Sequence, residues 1–174
     1  MISHSHKFIF IHNGKCAGTS IVKSIINDNP GMEYEEIKHS TLSKVTEEGS
    51  MYKDYFKICS IRNPWDRQVS WYYHLISIGI NVPEFNQWVN YKGGSVLTYP
   101  DINKFDFFIK FENLENDYEK MCMKFSLNNS RLLKIDHNTK RPNRKYQEHY
   151  DDNKSINMVK DKNLNIIRKF NYDF

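Results

Sequence analysis

The segment from His12 to Ser20 combines the residue types that bind a phosphate or sulfate group. Gly14 and Gly18 allow the backbone to approach a ligand closely, and Lys15 adds a compact positive charge. The adjacent pair Thr19–Ser20 adds two hydroxyl groups that can donate hydrogen bonds. The order of residues differs from the Walker A pattern G-x-x-x-x-G-K-[ST], because Lys15 precedes the second glycine.

The elements on either side of this loop are those that would position it. Residues 7–12 are a short run of β-forming residues, which is typical of a buried strand. Apolar residues from Ile21 to Ile26 then recur with helical spacing, and Asn29-Pro30-Gly31 ends the helix. The N–H groups and the dipole at a helix N-terminus favour an anion, so the loop is predicted to be an anion site.

A second segment, Arg62 to Ser70, also has the residues of a phosphate site. Residues 55–61 are predicted to form a strand that ends at Arg62, and Asn63-Pro64 is typical of an N-cap followed by the first helical position. Ser70 is expected on the same helix face as the N-terminal turn. An arginine fork and a hydroxyl together are suited to a phosphate monoester.

The composition indicates one globular domain over residues 1–174. Hydrophobic residues make up 39% and aromatic residues 14%, which is too apolar for a disordered chain. The net charge of +4 is too small to argue for a nucleic-acid partner. Three widely spaced cysteines without a CxxC pattern argue against a zinc site or a disulfide framework. With no apolar run of membrane-spanning length, a cytoplasmic protein is expected.

Predicted strands alternate with predicted helices along the chain, which indicates an α/β fold with a mainly parallel central sheet flanked by helices. The N-terminal segment with His4 and His6 is expected to be frayed. The predicted strands are residues 7–12, 34–38, 55–61, 105–111 and 131–135, and the helices begin near residues 19, 63, 83, 115 and 151.

The loop from His12 to Ser20 resembles the 5′-phosphosulfate-binding loop of sulfotransferases that use 3′-phosphoadenosine 5′-phosphosulfate (PAPS). The carbohydrate sulfotransferase type has the most similar loop, typically H-I-P-K-T-A-G-T-S, from which this chain departs at Gly14 and Cys16. The resemblance implies a P-loop-like fold, PAPS as the sulfonate donor and 3′-phosphoadenosine 5′-phosphate (PAP) as the product. It also implies that the loop residues bind PAPS, namely Lys15, Cys16, Ala17, Gly18, Thr19 and Ser20.

The second segment is similar to the family's R-[ND]-P-x-x-R-x-x-S pattern, which binds the 3′-phosphate of PAPS. The match implies that Arg62 and Ser70 bind this phosphate, and Arg67 is expected to form a structural ion pair with Asp66 or Glu112. The basic stretch 138–146 resembles the family's closing segment, which folds over the nucleotide. Its basic residues are therefore further candidates for this phosphate: Lys140, Arg141, Arg144 and Lys145, with Arg141 and Arg144 assigned to the site.

His39 lies between the two segments and is similar in position to the catalytic histidine of the carbohydrate sulfotransferases. The resemblance implies that His39 is the general base for an acceptor hydroxyl, expected on a saccharide, and that Lys15 stabilises the leaving phosphate. Glu35 or Glu36 is an alternative base, and His137 and His149 are weaker ones. No metal ion is required, because Lys15 and the arginines supply the positive charge.

Three other functions remain open at this point. A P-loop kinase would use ATP and Mg²⁺, but the sequence has no lysine next to a serine or threonine in the Walker A position. A non-catalytic nucleotide-binding protein would retain the loop without the chemistry, and the departures at Gly14 and Cys16 favour it. An RNA-binding module would use the basic residues 131–145, which match no nucleic-acid motif.

Overall fold

The computed structural model describes residues 1–37, 41–47, 50–92, 101–129, 131–135 and 140–174. The chain divides into two compact units. The first comprises Met1–Ile61 and Tyr99–Ile135, and the second comprises Arg62–Thr98 and Asp136–Phe174. Within the described part of the chain, no helix is both long and apolar enough to cross a membrane.

The described residues form five strands and seven α-helices. The strands are β1 (Ile2–Ser3), β2 (Phe8–His12), β3 (Tyr34–Glu35), β4 (Phe56–Ile61) and β5 (Phe107–Lys110). The helices are α1 (Gly18–Asp28), α2 (Leu42–Glu47), α3 (Pro64–Ser77), α4 (Phe85–Lys92), α5 (Leu114–Phe125), α6 (Asn153–Lys162) and α7 (Leu164–Phe170).

The sheet of the first unit has the strand order β3-β1-β2-β4-β5. Strand β2 pairs in parallel with β4, and β4 in parallel with β5, as the alternation of strands and helices predicted. Strand β1, however, pairs antiparallel with both β2 and β3. The sheet is therefore mixed, and the prediction of a mainly parallel sheet was wrong.

The difference arises in the N-terminal segment, for which a frayed end was predicted. Ile2 is 1% exposed, and it pairs with Ile9 on one side and Glu35 on the other. A turn through Lys7, whose φ of 51° is left-handed, returns the chain into β2. Burial of Met1 and Ile2 stabilises this short strand, because two residues alone would gain too little from pairing.

The core of the first unit lies on both faces of the sheet. Phe8, Phe10, Ile58 and Ile109 pack with residues of α1 and α5 on one face. Ile9 and Ile11, which alternate with them along β2, pack with α2 on the other face. Both faces of β2 are thus buried, which is why its sequence is a continuous apolar run.

Residues 131–135 form no strand, contrary to the prediction. The Leu133 backbone N–H donates to the Ser24 hydroxyl of α1 at 2.8 Å, in a place where a strand would require a ladder partner. Leu132 alone is buried in this stretch, while Arg131 and Lys134 are exposed. One apolar anchor fixes the segment against α1 without any sheet pairing.

The second unit is helical, and α3 is its central element. Asn63 caps this helix, since its side chain accepts from the N–H groups of Trp65 at 3.0 Å and Asp66 at 3.3 Å. The predicted N-cap and first-position proline are therefore confirmed. Trp65, Val69 and Tyr72 point from α3 into a core with residues of α4, of α6 and of the segment before α6: Phe85, Trp88, Val89, Tyr150 and Val159.

Candidate functional site

The loop after β2 has a backbone shape that suits an anion. Lys15 and Ala17 have left-handed φ values of 67° and 61°, and Cys16 between them does not. Such an alternation turns successive N–H groups toward one side of the chain, which makes a concavity for an anion. A left-handed conformation costs a residue other than glycine about 1–2 kcal/mol, so the fold maintains this shape against a local preference.

Helix α1 begins directly at this turn and presents an uncapped N-terminus. Its N-cap residue, Ala17, has no side-chain group to accept a hydrogen bond, and the first turn contains no acidic residue. The first backbone bond of the helix runs from the Ile21 N–H to the Ala17 carbonyl at 3.0 Å. The positive end of the helix dipole is therefore not neutralised by the residues of its own first turn.

Gly18 is required where α1 begins, because the ring of His12 packs against it. A Cβ atom at this position would lie 2.1 Å from the His12 Cγ and Nδ1 atoms and 2.5 Å from its Cβ. His12 ends β2 and stacks on Phe10 with ring centroids 5.7 Å apart, so its ring has little freedom to move away. The contact holds the last residue of β2 against the first residue of α1.

Replacing Gly18 by alanine is therefore expected to lower the free energy of unfolding by about 1–3 kcal/mol, as for other overpacked sites. Thermal or urea unfolding measures this change. The double variant H12A/G18A is the control, since removal of the imidazole removes the clash. A G18A protein as stable as the wild type would contradict the contact. The same conclusion would follow if the loss of stability in H12A/G18A equalled the sum of the losses in H12A and G18A.

The side chain of Cys16 is buried inside the loop. It is fully buried, and its thiol donates to the Gly14 carbonyl at 3.8 Å. Its backbone N–H donates to the Asn13 carbonyl at 3.3 Å. These contacts indicate that Cys16 stabilises the turn, and that it replaces the usual threonine as a small buried residue.

Arg62 belongs to a compact ion cluster at the start of α3. Its Nε and Nη2 atoms both lie 2.7 Å from the Asp66 Oδ2 atom. The other oxygen of this carboxylate, Oδ1, lies 2.8 Å from the Arg141 Nη1 atom. One carboxylate therefore orients two arginines, and the three charges sum to +1, which is suited to an anionic ligand.

Ser70 lies on the same face of α3 as this cluster. Asp66, Ser70 and Tyr73 follow each other at helical spacings of four and three residues. The Tyr73 hydroxyl contacts the His149 Nδ1 atom at 3.3 Å, and His149 in turn contacts Arg144. The segment that carries Arg141 and Arg144 is thus anchored to α3 on both sides of Ser70.

The remaining basic residues of this segment differ from these two arginines. Lys140 and Lys145 are exposed. Arg67, for which an ion pair with Asp66 or Glu112 was expected, is 3% exposed and lies 5.8 Å from the centre of the Trp71 ring. The carboxylate of Asp66 is bound by Arg62 and Arg141, and the ion pair of Arg67 with Glu112 stays a prediction.

His149 is a neutral residue of the structural framework. Its pKa is lowered to about 4, chiefly by burial and then by the positive charges of Arg144 and Arg141, while the negative charges of Glu148 and Asp66 oppose this shift. Both of its ring nitrogens already contact Arg144, at 3.3 and 2.9 Å. A base needs a free nitrogen with a pKa near neutrality, so His149 is poorly suited to remove a proton.

The other candidate bases are His39, His137, Glu35 and Glu36. His39 and His137 are outside the described residues. Glu35 lies on the edge strand β3 and accepts a hydrogen bond from the Tyr52 hydroxyl at 3.4 Å, with the His4 Nε2 atom 4.0 Å away. Among the described residues, no group of three or more histidine, cysteine, aspartate or glutamate side chains could hold a metal ion.

The contacts of Asp66 with two arginines and of Tyr73 with His149 were not predicted from the sequence. Asp66 was considered only as a partner of Arg67, although its position four residues after Arg62 on a helix start was a usable signal. The contact between Tyr73 and His149 joins residues 76 positions apart, and no local pattern indicates it.

The family of the chain is decided by comparison with known proteins. Residues 1–94, more than half of the chain, match the model of the sulfotransferase family. The chain belongs to the sulfotransferase family. No curated protein and no solved structure matches it significantly. Membership indicates a transferase that moves a sulfonate group from a small-molecule donor to a hydroxyl acceptor.

The matched range includes both segments that sequence analysis selected. The loop from His12 to Ser20 and the helix start from Arg62 to Ser70 lie within residues 1–94. The segment with Arg141 and Arg144 lies beyond it, so its role depends on the structure and on its resemblance to the closing segment.

Proposed function

We propose that this protein transfers the sulfonate group of PAPS to a hydroxyl group of a carbohydrate. Family membership carries the general reaction. The choice of PAPS is supported chiefly by the arginine cluster at the start of α3, because two arginines oriented by one carboxylate retain a net positive charge that suits a 3′-phosphate. The carbohydrate acceptor is inferred from the similarity of the loop to H-I-P-K-T-A-G-T-S.

The loop after β2 fits the 5′-phosphosulfate end of PAPS. Its alternating backbone and the uncapped start of α1 offer N–H groups to anionic oxygens. The absence of a Cβ at Gly18 lets the His12 ring pack against the start of α1, which fixes the loop between them. In this assignment Lys15 neutralises charge on the phosphate oxygen, while Thr19 and Ser20 add hydroxyl donors.

The face of α3 that carries Ser70 fits the 3′-phosphate. Arg62 and Arg141 lie on one side of Ser70, bound to Asp66, and Arg144 lies on the other side through His149 and Tyr73. This arrangement favours Arg141 and Arg144 over the exposed Lys140 and Lys145 as ligands of the phosphate. Several arginines around one hydroxyl are suited to a dianionic monoester.

PAPS supplies the activated sulfonate group when it is bound. The acceptor oxygen forms a bond to sulfur as the bond between sulfur and the 5′-phosphate oxygen breaks, and the acceptor proton passes to the base. We assign that base to His39, and Lys15 stabilises the charge that develops on the leaving phosphate. The products are the sulfated acceptor and PAP.

Calorimetric titration with PAP, AMP and ATP tests the proposal. PAP is expected to bind more tightly than AMP, which differs from it only in the 3′-phosphate. Tight binding of ATP without binding of PAP would overturn the sulfotransferase assignment and favour the kinase. Binding of PAP without any release of PAP from PAPS, over a panel of saccharide acceptors, would favour the non-catalytic alternative.

Replacing His39 by alanine is expected to lower the rate of PAP release from PAPS by about 100-fold or more, since general bases contribute roughly 10²–10⁴ to a rate. The affinity for PAP should stay within twofold, because the base faces the acceptor. The same substitution at His6 is the control for loss of a histidine. Unchanged turnover of the H39A variant would reject His39 as the base and bring Glu35 and Glu36 forward.

A further inference from the structure

The buried side chain of His149, in the segment 140–150, has polar contacts with Tyr73 and Arg144. It is 4% exposed, and the rings of Tyr73 and Phe85 lie 5.3 and 6.0 Å from its own. Its backbone carbonyl accepts a hydrogen bond from the Asn86 amide at 2.9 Å. The imidazole is thus fixed in orientation by α3 and α4 before any ligand binds.

Arg144 depends on this imidazole for its position. Its Nε atom lies 3.3 Å from the His149 Nε2 atom and its Nη2 atom lies 2.9 Å from Nδ1. A neutral imidazole has a single acceptor nitrogen, and a guanidinium donor faces it in either tautomer. Protonation would remove this acceptor and place two positive charges in contact, which agrees with a His149 pKa of about 4.

A neutral acceptor can orient an arginine without offsetting its positive charge, which a carboxylate cannot do. Asp66 orients Arg62 and Arg141, but its negative charge offsets one of their two positive charges. His149 holds Arg144 by a hydrogen bond to its one acceptor nitrogen and leaves the positive charge of Arg144 unchanged. Arg144 is otherwise exposed, and an exposed arginine loses about 2 kcal/mol of rotamer entropy when it is fixed on a ligand.

We infer that His149 is a positioning residue that holds Arg144 ready to bind the 3′-phosphate of the nucleotide without neutralising its charge. This inference rests on the proposed function, because it assumes that the face of α3 around Ser70 binds a 3′-phosphate. It assigns a role to a buried residue that takes no part in the transfer itself.

Calorimetric titration of PAP and AMP into the wild type and the H149F, H149Q, R144M and R144M/H149F variants tests this role. H149F is expected to lose roughly 3- to 10-fold in PAP affinity, the effect of freeing one long side chain. AMP affinity should not change. H149Q retains a neutral acceptor and should recover most of the loss. The double variant should bind PAP no more weakly than R144M.

Two further variants keep the test decisive if phenylalanine at 149 prevents folding. H149E retains an acceptor but adds a negative charge, so it should bind PAP more weakly than H149Q while AMP is affected less. H74F is the control, because it makes the same substitution at a histidine of α3, and it should leave PAP affinity unchanged.

The outcomes separate this inference from the proposed function. A wild-type protein that does not bind PAP would overturn the proposed function and the inference with it. A wild type that binds PAP and an H149F variant with unchanged affinity would overturn the inference alone. Equal losses for PAP and AMP, or additive losses in R144M/H149F, would also overturn it, because they would show a general structural role.

Discussion

Replacing Arg62 by methionine is expected to weaken PAP binding by roughly 30- to 140-fold. Loss of hydrogen bonds to a charged ligand costs about 2–3 kcal/mol, and every 1.4 kcal/mol is a factor of ten. The substitution also removes one of two cations bound to Asp66, so the charge of this cluster falls from +1 to zero. The Asp66 carboxylate would then repel an incoming phosphate and would no longer orient an arginine at position 62 toward it. Calorimetric titration with PAP measures the change.

Three comparisons make the Arg62 experiment specific. AMP lacks the 3′-phosphate, so its affinity should stay within about twofold of the wild-type value. R168M removes an exposed arginine from α7 and controls for the loss of one positive charge. R62K retains the charge but lacks the planar fork, and an intermediate affinity is expected. Equal losses for PAP and AMP would show that Arg62 does not bind the 3′-phosphate.

Replacing Lys15 by methionine is expected to lower the rate of PAP release from PAPS by about 10²- to 10³-fold, the usual loss when one stabilising donor is removed from a transition state. The affinity for PAP should fall by less than tenfold, because the loop N–H groups remain. The effect on the rate is expected because Lys15 lies in the left-handed turn that leads into α1, where its charge adds to that of the helix N-terminus. Turnover and calorimetry are measured on the same preparation.

K23M is the matched control for this experiment, since Lys23 is an exposed lysine on the same helix. It should keep wild-type turnover and stability. A K15M variant that loses PAP affinity and turnover in equal proportion would show that Lys15 contributes to ground-state binding rather than to the leaving group. A K15M variant with unchanged turnover would remove Lys15 from the mechanism.

Much of the local structure could be predicted because it depends on neighbouring residues. The buried strand β2 follows from a continuous apolar run, and the start of α3 follows from Asn63 and Pro64, whose preferences act within one turn. The family match over residues 1–94 agrees with the resemblance seen in these same two segments.

The errors arose where distant segments decide the structure. Two residues, Ile2 and Ser3, form a strand only because β2 and β3 pair with them on both sides, and this pairing makes the sheet mixed. Residues 131–135 have strand-forming side chains but bond to Ser24 of α1 instead. A sequence pattern indicates which secondary structure a segment prefers. It does not indicate which strand edge or side-chain hydroxyl the folded chain will place beside that segment.

The sequence by itself determined that a glycine-containing loop precedes one helix and that arginines lie at the start of another, because residue type and spacing within a short segment suffice for both. It also determined the family. Only the tertiary structure decided which arginines act together, since Asp66 binds both Arg62 and Arg141 across 75 residues. It likewise decided that His149 contacts Arg144 as a neutral residue, because burial is the largest cause of its lowered pKa and the residues next to it in the sequence do not determine its burial.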